Sequence, residues 1–174
     1  MKAIFVDESK AKDFILCSVE VEVSEIPQLR RALYKLTLPG QSRIHFVSES
    51  PRRRRLLVTS YREMSLKISI LRVRGSTSVQ SRNRALEALI SRLDLNSTYQ
   101  LWIERDENHI NSDQASLTQA LRRLGLENNV SFFHADPKSQ PLLWLPDAFA
   151  WLANRGGDWA KELKKFDASV IYLN

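Results

Sequence analysis

Two β-prone runs stand almost end to end near the start of the chain, AIFV at 3–6 and FILCSVEVEV at 14–23. The second becomes strictly alternating, with Val19, Val21 and Val23 on one side and Glu20 and Glu22 on the other. That is the period of a half-exposed strand. The stretch SKAKD between the runs suffices for a hairpin and is too short for a crossover helix, so the first two strands are expected to pair antiparallel.

The rest of the chain alternates between two periods. SEIPQLRRALYKL (24–36) reads as a helix with Ser24 as N-cap and Ile26, Leu29, Leu33 and Leu36 at helical spacing. After LPGQ and SRIHF, Ser50 caps a second helix that carries Pro51 in its first turn and a stripe of Leu56, Leu57, Tyr61 and Met64. LKISILRVR (66–74) alternates as a strand, SRNRALEALISRL (81–93) is helical, and YQLWIER (99–105) is the next strand. SDQASLTQALRRLG (112–125) is a helix closed by Gly125, VSFFHA (130–135) a strand and LPDAFAWLAN (145–154) a helix. ASVIYL (168–173) is a last strand or an apolar tail. With the helical pair at about 24–64 set aside as an insertion, the order is three strands and then helix, strand, helix, strand, helix. This predicts a mixed α/β sheet, antiparallel at its start and parallel later. It is the order of the RNase H-like fold, here as a single domain over 1–174.

Composition narrows the setting. No apolar run reaches the roughly 20 residues of a bilayer span, and the N-terminus lacks the apolar core of a secretory signal. Cys17 is the only cysteine, which excludes a disulfide framework. A reducing, cytoplasmic location without membrane contact is the expectation. The 26 basic and 20 acidic residues leave a net charge of +6. Four of those positive charges lie in one tetrapeptide, Arg52 to Arg55, a local patch that suits a polyanion.

The acids are less easily explained. IFVDES (4–9) runs an apolar strand straight into Asp7 and Glu8, where burying charge is costly. Glu104 closes the strand at 99–105, Asp106 and Glu107 follow, and Asp147 lies just after Pro146 in a first helical turn. Ligands gather at the carboxyl ends of central strands in open sheets. If the first and fourth strands are neighbours, Asp7 and Glu104 share one rim, and a helix starting at Pro146 brings Asp147 to it. Packed carboxylates repel unless a cation joins them. All-oxygen ligands suit Mg²⁺ or Mn²⁺, and such ions serve phosphodiester cleavage. Adjacent strand residues face opposite ways, so Glu8 cannot share the orientation of Asp7. Asp147 is equally readable as favouring the helix dipole, and Glu104 as loop solvation.

The arginine run occupies a helix N-terminus, where the macrodipole disfavours cations, and a bound phosphate backbone would relieve that. His45, in RIHF, is open to three readings: site residue, metal ligand or structural histidine. His109 and His134 show no zinc-ligand spacing with Cys17. Glu87 is a weak equivalent for a helix-borne acid, and Trp144 and Trp151 read as core.

IFVDES, RIHF, the arginine-rich helix start, LWIERDEN and PLLWLPDAFAWLAN together resemble an uncharacterised family of bacterial and phage proteins in the RNase H-like superfamily. The family opens with an Asp-Glu-Ser or Asp-Glu-Ala strand end, carries a histidine after the first helix and closes with a Leu-Ala-Asp or Pro-Asp-Ala helix. The resemblance implies a nuclease whose acidic site is Asp7, Glu104 and Asp147, with His45 and Glu8 nearby. Asp106 joins Glu8 as a further candidate ligand. Where the family often has an acid two residues before the histidine, this chain has Arg43, which is grouped with Arg52, Arg53, Arg54 and Arg55 as a contact to nucleic acid. That departure keeps a second class of function open: a catalytically degenerate module of the same fold that binds RNA or DNA, or another protein, without turnover. A PIN-type nuclease ranks lower because its first strand leads into a helix. An aspartyl-phosphate enzyme wants a second Asp where Ser9 stands.

Overall fold

A computed structural model describes residues 1–11, 13–76 and 78–174. Its centre is a six-stranded mixed sheet in the order β5-β4-β1-β2-β3-β6. The strands are β1 (Lys2–Lys10), β2 (Phe14–Glu22), β3 (Lys67–Val73), β4 (Tyr99–Glu104), β5 (Val130–Ala135) and β6 (Asp167–Leu173). The opening hairpin is antiparallel, in register from Lys2 opposite Glu22 to Lys10 opposite Phe14, and β3 continues it antiparallel on the far side of β2. β4 pairs with β1 in parallel, β5 with β4 in parallel, and β6 with β3 in parallel. The mixed α/β class and the strand succession therefore match the sequence expectation, and the run at 168–173 is a strand.

The period-two pattern sorts side chains onto two covered faces. Ala3, Phe5, Ile15, Cys17, Val19, Ile68 and Ile70 form one core with helices α1 (Ile26–Lys35), α2 (Pro51–Tyr61) and α5 (Trp144–Arg155). Ile4, Val6, Phe14, Leu16, Leu71, Leu101 and Ile103 form the other with α3 (Val79–Ile90) and α4 (Ile110–Leu124). Apolar residues at both phases of β1 and β2 follow from helices lying on both faces.

Local detail differs in four places. Ser24 does not cap α1; Glu22 and Glu25 cap a preceding 3₁₀ turn at Val23–Glu25 reciprocally, and Glu25 is the N-cap of α1. Leu56 is 48% exposed, and the buried side of α2 is Leu57, Val58 and Tyr61. A short helix, α6 (Gly157–Leu163), was not anticipated, because GGDWAKEL carries little apolar periodicity. Glu87 faces solvent and pairs with Arg123, away from the strand ends. Ser50 caps α2 as expected, accepting from the Arg53 N–H, and Gly125 closes α4 in the left-handed region at φ 67°. Trp144 is fully buried and donates its indole N–H to the Pro137 carbonyl at 2.7 Å.

One charged cluster sits inside the second layer. Arg82 of α3 donates to both carboxylate oxygens of Asp113 on α4 at 2.7 and 2.8 Å, and both residues are buried. His134 of β5 lies 2.9 Å from the same carboxylate, and Glu8 of β1 pairs with Arg82. The bidentate geometry fixes α3 against α4, but each charge is tolerable only while its partner stays. Asp113→Ala is therefore expected to lower the unfolding free energy by about 3–5 kcal/mol. Glu87→Ala, which breaks only the surface pair with Arg123, is expected to cost about 0–1 kcal/mol. Urea denaturation followed by circular dichroism compares the two.

Candidate active site

The parallel register of β1 on β4 ends with Val6 opposite Ile103, so Asp7 and Glu104 are the next residues on neighbouring strands. Both lie one pleat beyond Phe5 and Trp102 and face the layer that contains α5. Asp7 Oδ1 accepts the Glu8 backbone N–H at 2.7 Å, and the charge of Glu104 bears on the Asp7 carboxyl. Burial pushes Asp7 well above the usual carboxylate range, and the charges of Glu104 and Asp147 push it further.

Asp147 reaches the same place from the first turn of α5. Its Oδ2 accepts the Phe46 backbone N–H at 2.9 Å, and its Oδ1 lies 4.0 Å from His45 Nε2. Burial raises the Asp147 pKa; the Phe46 N–H and the neighbouring Arg43 guanidinium work against that rise. Glu104 is raised by burial and by the charge of Asp147, and drawn back by Arg43.

The loop between α1 and α2 delivers His45 and Arg43. RIHF alternates: Ile44 and Phe46 are buried, while Arg43 is 22% exposed and His45 47% exposed. Phe46 packs edge-on against Trp151 and Trp159 at 5.3 and 6.5 Å between ring centroids. Arg54 ties the same loop down, donating Nε to the Phe46 carbonyl at 2.9 Å and Nη2 to the Val47 carbonyl at 2.5 Å, with its guanidinium 4.4 Å over the Trp151 ring. Arg43 Nη1 then stands 3.6 Å from Glu104 Oε1.

The structure thus brings Asp7, Glu104, Asp147 and His45 together and sets Arg43 among them. Two of the arginines grouped with it have contacts within the protein: Arg54 holds the loop, and Arg53 is 15% exposed with Nε 3.7 Å from Glu49. Arg52 and Arg55 remain exposed, Arg55 lying 6.0 Å over the Trp159 ring.

Glu8 and Asp106 do not join this group. The pleat turns Glu8 to the opposite face, where its carboxylate meets Arg82 and, at 2.8 Å, Lys10. Among the described residues, Glu8, Asp106 and His109 have ligand atoms all within 4.8 Å of one another, a set separate from Asp7. Lys10 Nζ lies 3.2 Å from His109 Nε2, so an ammonium already sits between Glu8 and the imidazole. Nothing in the sequence flagged His109 as part of this set; its spacing of three from Asp106 was the available signal.

The donor set around Asp7 suits a hard cation. All three acids offer oxygen, all three resist ionisation as they stand, and Glu104 Oε2 is buried without a hydrogen-bond partner. Mg²⁺ or Mn²⁺ would relieve that strain on the carboxylates.

No protein-family model and no curated protein sequence matches this chain. Among solved structures, ribonuclease HII of Archaeoglobus fulgidus, determined in complex with PCNA, is similar over 95% of this chain and 77% of its own, with a TM-score of 0.55 and 14% identity. The chain has an RNase H-like fold, and no match supports the bacterial and phage family that its motifs resemble.

The raised carboxylates have a consequence for stability. Asp7, Glu104 and Asp147 hold protons to higher pH when folded than the usual unfolded range near about 4. The folded chain therefore binds more protons above that range, and its stability falls as pH rises through the raised values. In the presence of a chelator, Asp7→Asn is expected to raise the melting temperature near about pH 7 and to flatten its decline from about pH 5. Identical pH slopes for wild type and variant in calorimetric melts would contradict the assignment.

Proposed function

We propose that this chain is a divalent-metal-dependent nuclease that cleaves phosphodiester bonds in RNA or DNA. The observation that carries the reading is the convergence of Asp7, Glu104 and Asp147 at the carboxyl ends of β1 and β4 and the start of α5. Chain segments far apart in sequence place carboxylates together so that the charge of Asp147 bears on both Asp7 and Glu104, and that of Glu104 on Asp7. A fold of ordinary stability has no use for that arrangement without a cation. The RNase H-like fold agrees with it.

Asp7, Glu104 and Asp147 would hold Mg²⁺ or Mn²⁺, which supplies activation of water and neutralisation of charge on the phosphate. His45 stands half-exposed at the mouth, its Nε2 4.0 Å from Asp147 Oδ1, and takes or returns a proton there. Phe46 N–H fixes Asp147, and Arg54 fixes Phe46, so the loop geometry depends on the arginine helix without that side chain meeting substrate. Arg52 and Arg55, exposed on the first turns of α2, face the solvent side along which a phosphate backbone would run. Among the described residues no helix is long and apolar enough to cross a membrane. The buried, unpaired thiol of Cys17 fits a reducing, cytoplasmic setting.

The second reading is a binding module of the same fold that does not turn over. One observation favours it: Arg43 already places a positive charge beside Glu104. The two part on catalysis. Cleavage of single- and double-stranded RNA and DNA is expected only with Mg²⁺ or Mn²⁺, and to drop by about 10²-fold or more in Asp7→Asn and in Asp147→Asn. Activity that persists in both variants would remove these residues from the mechanism. Replacing Arg52 and Arg55 by Ala is expected to weaken binding across sequences and to reduce the salt slope by about 1 per arginine, measured by fluorescence anisotropy.

A further inference from the structure

A second concave surface lies away from the carboxylates, between α2, α6 and the end of α5. It encloses about 550 Å³, within the about 300–1,000 Å³ that ligand pockets occupy. Arg55, Thr59 and the C-cap residue Arg62 line it from α2, Arg155 from the last position of α5, and Trp159 from α6. The two acids at its rim already have partners: Glu162 pairs with Arg62 and Lys165, and Asp158 with Lys161 at 2.8 Å. The Arg55 charge bears on Asp158. Among the described residues, however, no carboxylate forms an ion pair with Arg55 or Arg155. The cavity therefore presents positive charge.

Helical geometry turns this surface into a track. Arg52, Arg55, Thr59 and Arg62 follow one another at intervals of three and four, share one stripe of α2 and are all exposed. At about 1.5 Å per residue the stripe is about 15 Å long. It begins where the loop that carries His45 enters α2 and ends in the cavity. Along α5, Asp147 and Arg155 are separated by about 12 Å of helix rise. A strand of a few nucleotides spans that distance.

The wall opposite α2 offers an aromatic face. Trp159 is half-buried and held edge-on by Trp151 and Phe46, at 5.3 and 6.5 Å between ring centroids. The Arg55 guanidinium stands 6.0 Å over the Trp159 ring, against 4.4 Å for Arg54 over Trp151. Arg54 touches its ring, whereas Arg55 leaves a gap. Two stacking distances of about 3.4 Å make about 6.8 Å, so a nucleobase enters that gap with a small movement of the Arg55 side chain.

We propose that this cavity holds an unpaired nucleotide of a single-stranded segment of the substrate, with its base between Trp159 and Arg55 and its phosphate against Arg155. A duplex keeps its bases stacked on one another and has none to offer Trp159. The site therefore favours single strands and grips the substrate beside the cut. This rests on the nuclease reading above and adds to it the form of the strand.

The test uses the full chain in a chelator, so that nothing is cleaved, with eight-nucleotide single strands of DNA and RNA and blunt duplexes of the same sequence. Binding is read by fluorescence anisotropy and folding by thermal melts. Trp159→Leu is expected to weaken single-strand binding by about tenfold or more and Arg155→Ala by about fivefold, with duplex binding changed less than about twofold. A 2-aminopurine base in the strand is expected to be quenched by the wild type and not by Trp159→Leu. Because Trp159 also packs on Phe46, Arg155→Ala on the other wall tests the cavity independently. Unchanged single-strand affinity in Arg155→Ala, or equal losses for single strand and duplex, overturns the proposal. So does adenosine monophosphate binding as tightly as the strand, which assigns the cavity to a small ligand. If binding is lost only when Arg52 and Arg55 are replaced, the proposal falls and the nuclease reading stands. Absence of binding to any nucleic acid overturns both.

Discussion

Parallel pairing of β1 with β4 puts two acidic side chains at adjacent strand ends, on the same face, against a buried layer. The main-chain ladder and the apolar residues beneath it, Phe5 and Trp102, hold them there whether or not their charges are compatible. The conflict is moderated in several ways. Burial holds Asp7 well above the usual carboxylate range, Arg43 stands beside Glu104, and Asp147 draws on the Phe46 N–H. Each device lowers the cost of the cluster without removing it, and the remaining deficit of positive charge is what the proposed chemistry uses.

The sheet keeps two charged groups apart by its pleat. Asp7 and Glu8 are neighbours in the chain but belong to different layers. The first faces α5 and an open site; the second faces α3 and a closed network with Arg82, Asp113 and His134. The closed network has its partners within the protein and joins α3, α4, β1 and β5. The open group lacks a full set. That contrast separates a cluster that stabilises packing from one for which we propose a ligand, since charge count alone does not distinguish them.

The arginine run is divided in the same way. Arg54 lies over Trp151 and bonds the loop carbonyls, and Arg53 is beside Glu49, whereas Arg52 and Arg55 stay in solvent. Helical rotation of about 100° per residue sends successive side chains in different directions, so four consecutive arginines cannot serve one surface. Arg43, grouped with them by charge, belongs to the carboxylates instead.

Much of the architecture was legible in the chain because its signals are local. Alternation in FILCSVEVEV and the brief connection before it require an antiparallel hairpin; Ser50 with Pro51 and the glycine at 125 mark helix ends through short-range geometry. The candidate acids were legible as anomalies, charges placed where apolar strands end. Helix α6 and the true cap of α1 were missed because weak periodicity and a Glu–Glu capping box resemble ordinary solvated sequence. The sequence by itself determined the strand and helix succession and the opposite facing of Asp7 and Glu8, since both follow from bond geometry within a few residues. Only the tertiary structure decided that Glu104 lies beside Asp7, that Asp147 arrives from α5 and that Arg43 stands among them. Those meetings join residues far apart in the chain, Asp7 with Glu104, Asp147 with Asp7 and Arg43 with Glu104, and depend on strand order and helix packing, which no local pattern encodes.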